Sequence, residues 1–154
     1  VELFLTDRFN DPVVDGFDVT FRIAVLKYSS LNARKGAPSR GVLAATPDYS
    51  RAHGRPGSPY YLVNHQGLNY GHTTLMQRWN LTHDGKILNV PINSRLCANN
   101  GDVLRDAALA GQGITKLPTF LIGPDIEAGR LEVVLEDFPP TELSIYALYA
   151  PNKY

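Results

Sequence analysis

One segment carries the clearest pattern in the chain: Cys97-Ala-Asn-Asn-Gly-Asp-Val-Leu-Arg-Asp-Ala-Ala-Leu-Ala-Gly-Gln-Gly-Ile-Thr-Lys-Leu-Pro118. An apolar run ends at Asn99 and Asn100, whose side chains can accept hydrogen bonds from the first free N–H groups of a helix. The pattern predicts a helix from Gly101, a glycine turn, and a second short strand. Such a unit places its two strands parallel and joins them by a right-handed crossover.

The predicted helix has one narrow apolar face of small side chains, formed by Val103, Leu104, Ala107, Ala108 and Gly111. This face can pack closely on a sheet. The helix N-terminus then lies at the carboxyl edge of the sheet, where its N–H groups and positive dipole end suit carboxylates or phosphates. An ordinary structural turn would show the same pattern, because most asparagine caps serve only the helix.

Length and charge restrict the class of protein. A chain of 154 residues is enough for one compact domain or for two small lobes sharing a hinge. Fifteen basic and fifteen acidic residues give zero net charge, so we expect no DNA binding by this segment itself. The lone Cys97 excludes a disulfide within the chain and favours a reducing, cytoplasmic location, with its side chain buried as a small hydrophobe.

No apolar run approaches the roughly 20 residues needed to cross a bilayer, and the first residues lack the basic flank of a signal peptide. We therefore expect no membrane contact. The strands indicated by apolar runs or alternation are 1–6, 18–24, 41–45, 67–70, 77–82, 86–92, 130–135 and 143–149. Between them, residues 27–38 have no period and are expected to form a polar connection.

Short helices are predicted where a capping residue or glycine precedes proline, at Asp11-Pro12, Thr46-Pro47, Ser58-Pro59 and Gly123-Pro124. The third is ambiguous, because Tyr60-Tyr-Leu-Val63 contains β-favouring residues, and the cap favours helix. Asp84-Gly85 is a strong signal for a tight hairpin turn.

The histidines do not have the spacing of a helical metal pair, and no nucleophile elbow precedes them: His53, His65, His72 and His83. We expect no metal, no cofactor and no catalysis. The aromatic residues Trp79, Tyr60, Tyr61 and Tyr70 could line a ligand pocket, but a core role is favoured.

Seven short motifs, in order, resemble the effector-binding domain of LysR-type transcriptional regulators. They are Leu5-Thr-Asp-Arg8, Gly16-Phe-Asp-Val-Thr-Phe-Arg-Ile23, Ser30-Leu-Asn-Ala-Arg34, Ala45-Thr-Pro-Asp-Tyr49, Ala98-Asn-Asn-Gly-Asp102, Ala108-Leu-Ala-Gly-Gln-Gly-Ile114 and Ala128-Gly-Arg-Leu131. The resemblance spans nearly the whole chain. It implies an α/β fold of two Rossmann-like lobes with a ligand cleft between them, similar to type II periplasmic binding proteins.

The resemblance assigns residues 1–39 and 138–154 to a first lobe and residues 40–137 to a second. In that family a strand and a helix precede the position of Val1, and a helix follows that of Tyr154, so the first lobe is expected to be truncated at both ends. Strand 1–6 would then expose apolar surface, and we expect the fragment to aggregate, dimerise or depend on further material.

The family's effector contacts map onto cleft loops of this chain: Thr6, Arg8, Ala24, Val25, Leu26, Asn99, Asn100 and Gly101. At Ala24 relatives often carry glycine, so a ligand would approach more tightly there. Arg8 either pairs with an anionic effector or is a solvated loop arginine.

The resemblance implies a sensor that binds a small anionic metabolite and changes the angle between its lobes. The DNA-binding helix-turn-helix lies upstream in such proteins and is absent from this chain, and the full-length protein would form a dimer or tetramer. The alternatives are a solute-binding receptor of a transport system and an enzyme on the same scaffold, which would require a convergent acid–base or nucleophile set near the helix terminus.

Overall fold

The structure, a computed structural model, describes residues 1–6, 14–24, 31–71 and 77–150. The strands of this part are β1 (Thr20–Ala24), β2 (Asn32–Ser39), β3 (Gly41–Ala45), β4 (Gly67–Tyr70), β5 (Arg78–His83), β6 (Lys86–Pro91), β7 (Ser94–Ala98), β8 (Ile114–Pro118), β9 (Glu132–Val134) and β10 (Leu143–Tyr149). The helices are α1 (Pro47–His53), a 3-10 helix (Pro59–Asn64), α2 (Gly101–Leu109) and α3 (Thr119–Glu127).

The chain forms two compact units, unit 1 (Val1–Ser39 with Glu142–Tyr154) and unit 2 (Arg40–Thr141). Unit 1 contains an antiparallel sheet of order β1-β10-β2. The predicted strands at 18–24 and 143–149 are confirmed, with the first starting at Thr20. Strand β2 was expected to be a connection, and that prediction is wrong. Seven of its eight residues are exposed, so pairing with β10 forms it without any hydrophobic alternation.

The predicted strand at 1–6 is also wrong, because these six residues are exposed and have no regular structure. A strand needs a hydrogen-bonded neighbour, and none pairs with this segment among the described residues. Phe4 instead stacks on Phe17, with ring centroids 5.6 Å apart. Most of the helix predicted after Asp11-Pro12 lies outside the described residues.

Unit 2 contains a five-stranded sheet of order β7-β4-β8-β3-β9. Strand β4 is parallel to both β7 and β8, which confirms that the two strands around α2 run parallel, although β4 lies between them. Strand β3 is antiparallel to β8 and β9. Three parallel strands therefore occupy one side of the sheet and end at one edge.

Two apolar layers cover this sheet. Leu104 and Ala108 of α2 pack with Ile122 of α3 against Leu68 and Leu117. On the opposite face the hairpin β5–β6, α1 and the 3-10 helix bury a second cluster, whose fully buried members include Trp79, Leu81, Val90, Leu62 and Leu43. The predicted apolar face of α2 is correct at 104 and 108, but Val103 is 48% exposed, because the helix turns that residue away from the sheet.

Local signals predicted several elements of unit 2 correctly. Thr46 caps α1 by accepting a hydrogen bond from the Tyr49 N–H at 3.1 Å. The ambiguous segment after Ser58 is helical, as a 3-10 helix. The hairpin turn places Asp84 and Gly85 in the left-handed region, as a type I′ turn requires.

Helix α3 begins earlier than predicted. It starts at Thr119, directly after β8, and Pro124 lies inside it. A proline in a helix interior removes one hydrogen bond and costs about 3 kcal/mol. Burial of Ile122, which is fully inaccessible, offsets that cost. The β-favouring sequence at 119–122 gave no helix signal before the proline.

Gly113 joins α2 to β8 at a point where no side chain fits. Its φ is +157°, and a Cβ there would lie 2.2 Å from the Gln66 carbonyl oxygen. The close approach lets the Ile114 N–H donate to that same oxygen at 2.8 Å. This contact sets the register of β8 against β4.

Asp125 connects the two helices of unit 2. Its carboxylate is fully buried and accepts hydrogen bonds from Arg105 of α2 at 2.7 and 3.0 Å and from Arg130 at 2.9 Å. The hydrogen bond from Arg105 is the main reason that the Asp125 pKa lies below its ordinary value. The Asp125 carbonyl also accepts from the N–H groups of Arg130 and Leu131.

We expect Asp125→Asn to lower the free energy of unfolding by about 3 kcal/mol, because two arginines lose their buried counter-charge. Urea denaturation measures this, with Asp106→Asn as the control, since Asp106 is exposed and lies 3.8 Å from Arg105. Because the folded pKa of Asp125 is lowered, its stabilisation is present above the unfolded pKa and is lost as pH falls through the folded value. Equal stability of the two variants would contradict the prediction.

A buried Tyr49–His65 pair connects α1 to the start of β4. The Gln66 N–H donates to the Tyr49 hydroxyl oxygen at 3.1 Å, and this hydroxyl lies 3.0 Å from His65 Nδ1. Burial lowers the His65 pKa, and the nearby His53 lowers it further. In the neutral imidazole, Nδ1 can therefore accept a hydrogen bond from the Tyr49 hydroxyl group.

A histidine whose pKa is lowered by folding stabilises the fold fully above its unfolded pKa of about 6.5 and progressively less as pH falls below it. We therefore expect the melting temperature to fall between about pH 7.5 and about pH 5.5. His65→Gln should flatten that fall, whereas His83→Gln should not, because the His83 side chain is 43% exposed. An unchanged pH profile in His65→Gln would contradict the assignment.

Candidate functional site

The carboxyl ends of β7, β4 and β8 lie at one edge of the unit 2 sheet, because these three strands are parallel. The residues that follow them are Asn99, Gly71 and Thr119. Helices α2 and α3 both begin at this edge. Open α/β sheets bind ligands outside the carboxyl ends of their strands, so this edge is the candidate site.

The predicted residues Asn99, Asn100 and Gly101 come together at this edge and are all partly buried. Asn100 is the N-cap of α2, and its Oδ1 accepts from the Val103 N–H at 3.2 Å. Its carbonyl accepts from the Leu104 N–H at 3.4 Å. Within the described residues, the Asn99 side-chain amide has no hydrogen-bonding partner.

Gly101 allows the first turn of α2 to pack closely against the neighbouring helix α3. A Cβ at this position would lie 2.8 Å from Leu121 Cδ2 of α3. In any α-helix the first N–H groups have no intrahelical acceptor, and here that of Val103 donates to Asn100 Oδ1. The turn therefore offers backbone donors and a positive dipole end to an anionic group.

Asn69, a residue that was not predicted from the sequence, supports this edge from the core. Asn69 is 5% exposed, and its Oδ1 accepts from Trp79 Nε1 at 2.7 Å while its Nδ2 donates to Gln77 Oε1. Beside it, the Gly71 N–H donates to the Ala98 carbonyl at 3.0 Å. The sequence does contain a signal for this role, which is a single asparagine inside an apolar strand. Because a buried amide requires hydrogen-bonding partners, such an asparagine indicates a structural contact.

The other predicted contacts are divided between unit 1 and the undescribed part of the chain. Thr6 lies in the exposed segment at 1–6, and Ala24 is the last residue of β1. Arg8, Val25 and Leu26 lie outside the described residues. Their participation stays a prediction.

The core interpretation of the aromatic residues is confirmed for Trp79, which is 1% exposed. It is wrong for Tyr60, Tyr61 and Tyr70, which are exposed, because the 3-10 helix and the end of β4 turn these rings away from the core. Cys97 is partly rather than fully buried.

His72 lies outside the described residues. In the described ranges, no group of three histidine, cysteine or acidic side chains could hold a metal ion. That part of the chain also contains no helix long and apolar enough to span a membrane.

A shallow depression of ≈ 450 Å³ lies at the opposite edge of the sheet, lined by Thr46, Pro47, Asp48, Arg51, Leu109, Gly129 and Arg130. Both of its cations already have partners, since Arg51 pairs with Asp48 and Arg130 pairs with Asp125. It is remote from the strand ends where α2 and α3 begin. Because both of its arginines are already paired with carboxylates, we do not choose it as the candidate site.

We expect Asn100→Ala to destabilise the protein by about 1 kcal/mol, because the Val103 N–H loses its cap. Asn100→Asp should retain the stability, since a carboxylate caps equally well and favours the helix dipole. Asn99→Ala should leave it unchanged. Thermal denaturation of the three variants measures these effects, and equal melting temperatures for both alanine variants would show that the cap is not stabilising.

Known proteins are similar to this chain over its whole length. The family described as LysR substrate binding domain matches residues 1–154. An uncharacterized HTH-type transcriptional regulator of Haemophilus influenzae is 31% identical over 99% of this chain and 53% of its own length. The HTH-type transcriptional regulator PtxR of Pseudomonas aeruginosa is 32% identical over 100% of this chain and 49% of its own length. The chain thus spans about half the length of the curated relatives it matches.

Solved structures agree with this match. The full-length structure of AphB, a virulence activator of Vibrio cholerae and a member of the LTTR protein family, has a TM-score of 0.81 and 31% identity, covering 97% of this chain and 50% of that chain. The regulatory domain of CrgA, a LysR-type transcriptional regulator from Neisseria meningitidis, has a TM-score of 0.74 and 30% identity, covering 90% and 68%. The predicted mixed α/β fold of the type II periplasmic-binding-protein kind is confirmed. The chain belongs to the LysR substrate binding domain family of transcriptional regulators.

Proposed function

We propose that this chain is the ligand-sensing domain of a regulator and that it binds a small anionic metabolite. The observation that carries the proposal is the family match over all 154 residues. The carboxyl edge of unit 2 adds the chemistry, because the first turn of α2 and the Asn99 amide supply hydrogen-bond donors to an anionic group.

In this proposal, units 1 and 2 correspond to the two lobes of the family's effector-binding domain, assigned from the sequence as 1–39 with 138–154 and 40–137. The effector contacts that the family resemblance assigns are Asn99, Asn100 and Gly101 in the range of unit 2 and Thr6, Arg8, Ala24, Val25 and Leu26 in the range of unit 1. The unit 2 contacts are backbone and amide groups, which hold a ligand without reacting with it.

The effector acts by binding one conformation of the domain more tightly than another. It can shift the equilibrium only by that difference in affinity, typically about 1–3 kcal/mol for such coupling. The response then reaches DNA through the helix-turn-helix of the full-length protein, in a cytoplasmic homodimer or tetramer. A transport receptor is not favoured, because the matched relatives are named as transcriptional regulators.

A thermal-shift screen of carboxylate metabolites with the full-length protein tests the sensing role. We expect Asn99→Ala and Asn100→Ser to weaken effector affinity about tenfold, since each removes a polar contact while serine still caps α2. Asn93→Ala, at an exposed asparagine before β7, is the matched control.

The affinity for operator DNA, measured by fluorescence anisotropy, should stay the same in all three variants, because the altered residues lie in the sensing domain. An unchanged effector affinity in both site variants would remove Asn99 and Asn100 from the binding site. A protein that no metabolite stabilises would contradict the sensing role itself.

A further inference from the structure

Lys116 lies in the central strand of the unit 2 sheet and has no counter-charge among the residues that the structure describes. It is the third residue of β8, which lies between β4 and β3. Its side chain is partly buried, and burial alone lowers the pKa of its ammonium group. Among the described residues, the Lys116 ammonium group makes neither an ion pair nor a hydrogen bond.

Three arginines of unit 2 have carboxylate partners. Arg105 and Arg130 bind Asp125, and Arg55 lies 3.6 Å from Glu132. Withdrawing a charge from water without a partner destabilises a fold. A residue that is unfavourable for stability is typical of a functional site, where stability is given up for binding.

The strand register places Lys116 beside Leu43, on the sheet face that the β5–β6 hairpin covers and opposite the face that packs against α2. Cys97 of β7 is paired with Asn69 of β4, and Lys116 is paired with Leu43 of β3. Leu68 is paired with Thr115, so one further step of that register places Asn69 beside Lys116. Paired residues of adjacent strands project to the same face.

Lys116 also lies close to the carboxyl edge. Lys116 is two residues before the end of β8, a distance of roughly 7 Å along the strand. The flexible four-carbon stem of lysine spans about that distance. An extended Lys116 side chain directed along β8 would therefore bring its ammonium group close to the carboxyl edge.

We infer that Lys116 binds a carboxylate group of the effector and is the residue that selects an anionic ligand. The inference rests on the proposed sensing function and extends the site to β8. An ammonium has three donors and no acceptor, and a carboxylate has only acceptors, so the two groups are complementary. The bound carboxylate would supply the counter-charge that the described residues do not.

The test compares Lys116→Met with Lys86→Met in the full-length protein, since Lys86 is an exposed lysine at the start of β6. The probes are acetate, succinate and benzoate, with acetamide, succinamide and benzamide as their uncharged counterparts. Lys116→Met should raise the melting temperature without ligand, because it removes an uncompensated charge. It should also weaken carboxylate binding about tenfold to a hundredfold, while Lys86→Met changes neither quantity.

Chemical labelling provides a second readout that needs no variant. Carboxylate probes should protect the Lys116 amine from acylation by acetic anhydride, and Lys86 should react equally with and without them. Mass spectrometry of the digested protein measures both sites.

Two results overturn the inference. One is carboxylate binding of equal strength in Lys116→Met and the parent protein. The other is the absence of both a thermal shift and labelling protection with every carboxylate. A third result separates the two proposals: the uncharged amides bind to the protein, and Asn99→Ala abolishes that binding. This result would keep the sensing site and reject only the anionic contact at Lys116.

Discussion

A single buried carboxylate holds the helical layer of unit 2 in place. Asp125 receives hydrogen bonds from arginines on either side of it in the chain, one from α2 and one from the loop after α3. A carboxylate withdrawn from water is costly unless several donors surround it, and here the two guanidinium groups provide them. The position of α2, and thus of its N-terminus, depends on this arrangement.

That position matters because α2 begins where three parallel strands end. The Asn100 side chain caps the helix, Gly101 lets it pack against Leu121, and Asn69 fixes the end of β4 through Trp79. The candidate site is therefore supported from both faces of the sheet. Rigid support of this kind orients donor groups before a ligand arrives, so that less entropy is lost on binding.

Sequence patterns predicted the elements that are determined locally. The cap at Thr46, the turn at Asp84-Gly85 and the cap at Asn100 each depend on the chemistry of a few adjacent residues. The same holds for the α2 part of the candidate site, which follows from one capped helix after one strand. Motif order also identified the family.

Elements formed by distant partners could not be predicted in this way. Strand β2 pairs with β10, and α3 continues through Pro124 while its Ile122 is buried against the sheet. Asn69 and Lys116 come to lie on adjacent strands only through the order of strands in the sheet, in which β4 lies between β7 and β8. No local pattern contains that order, since it results from contacts between segments far apart in the chain.

The close backbone contact at Gly113 also restricts how this protein can evolve. Every single-nucleotide missense change of a glycine codon introduces a residue with a Cβ, and the carbonyl of Gln66 already occupies that space. Single-nucleotide missense changes at position 113 therefore disrupt the contact with Gln66. Mutant libraries made to redirect ligand preference would therefore lose their members altered at codon 113 before selection for a new ligand begins.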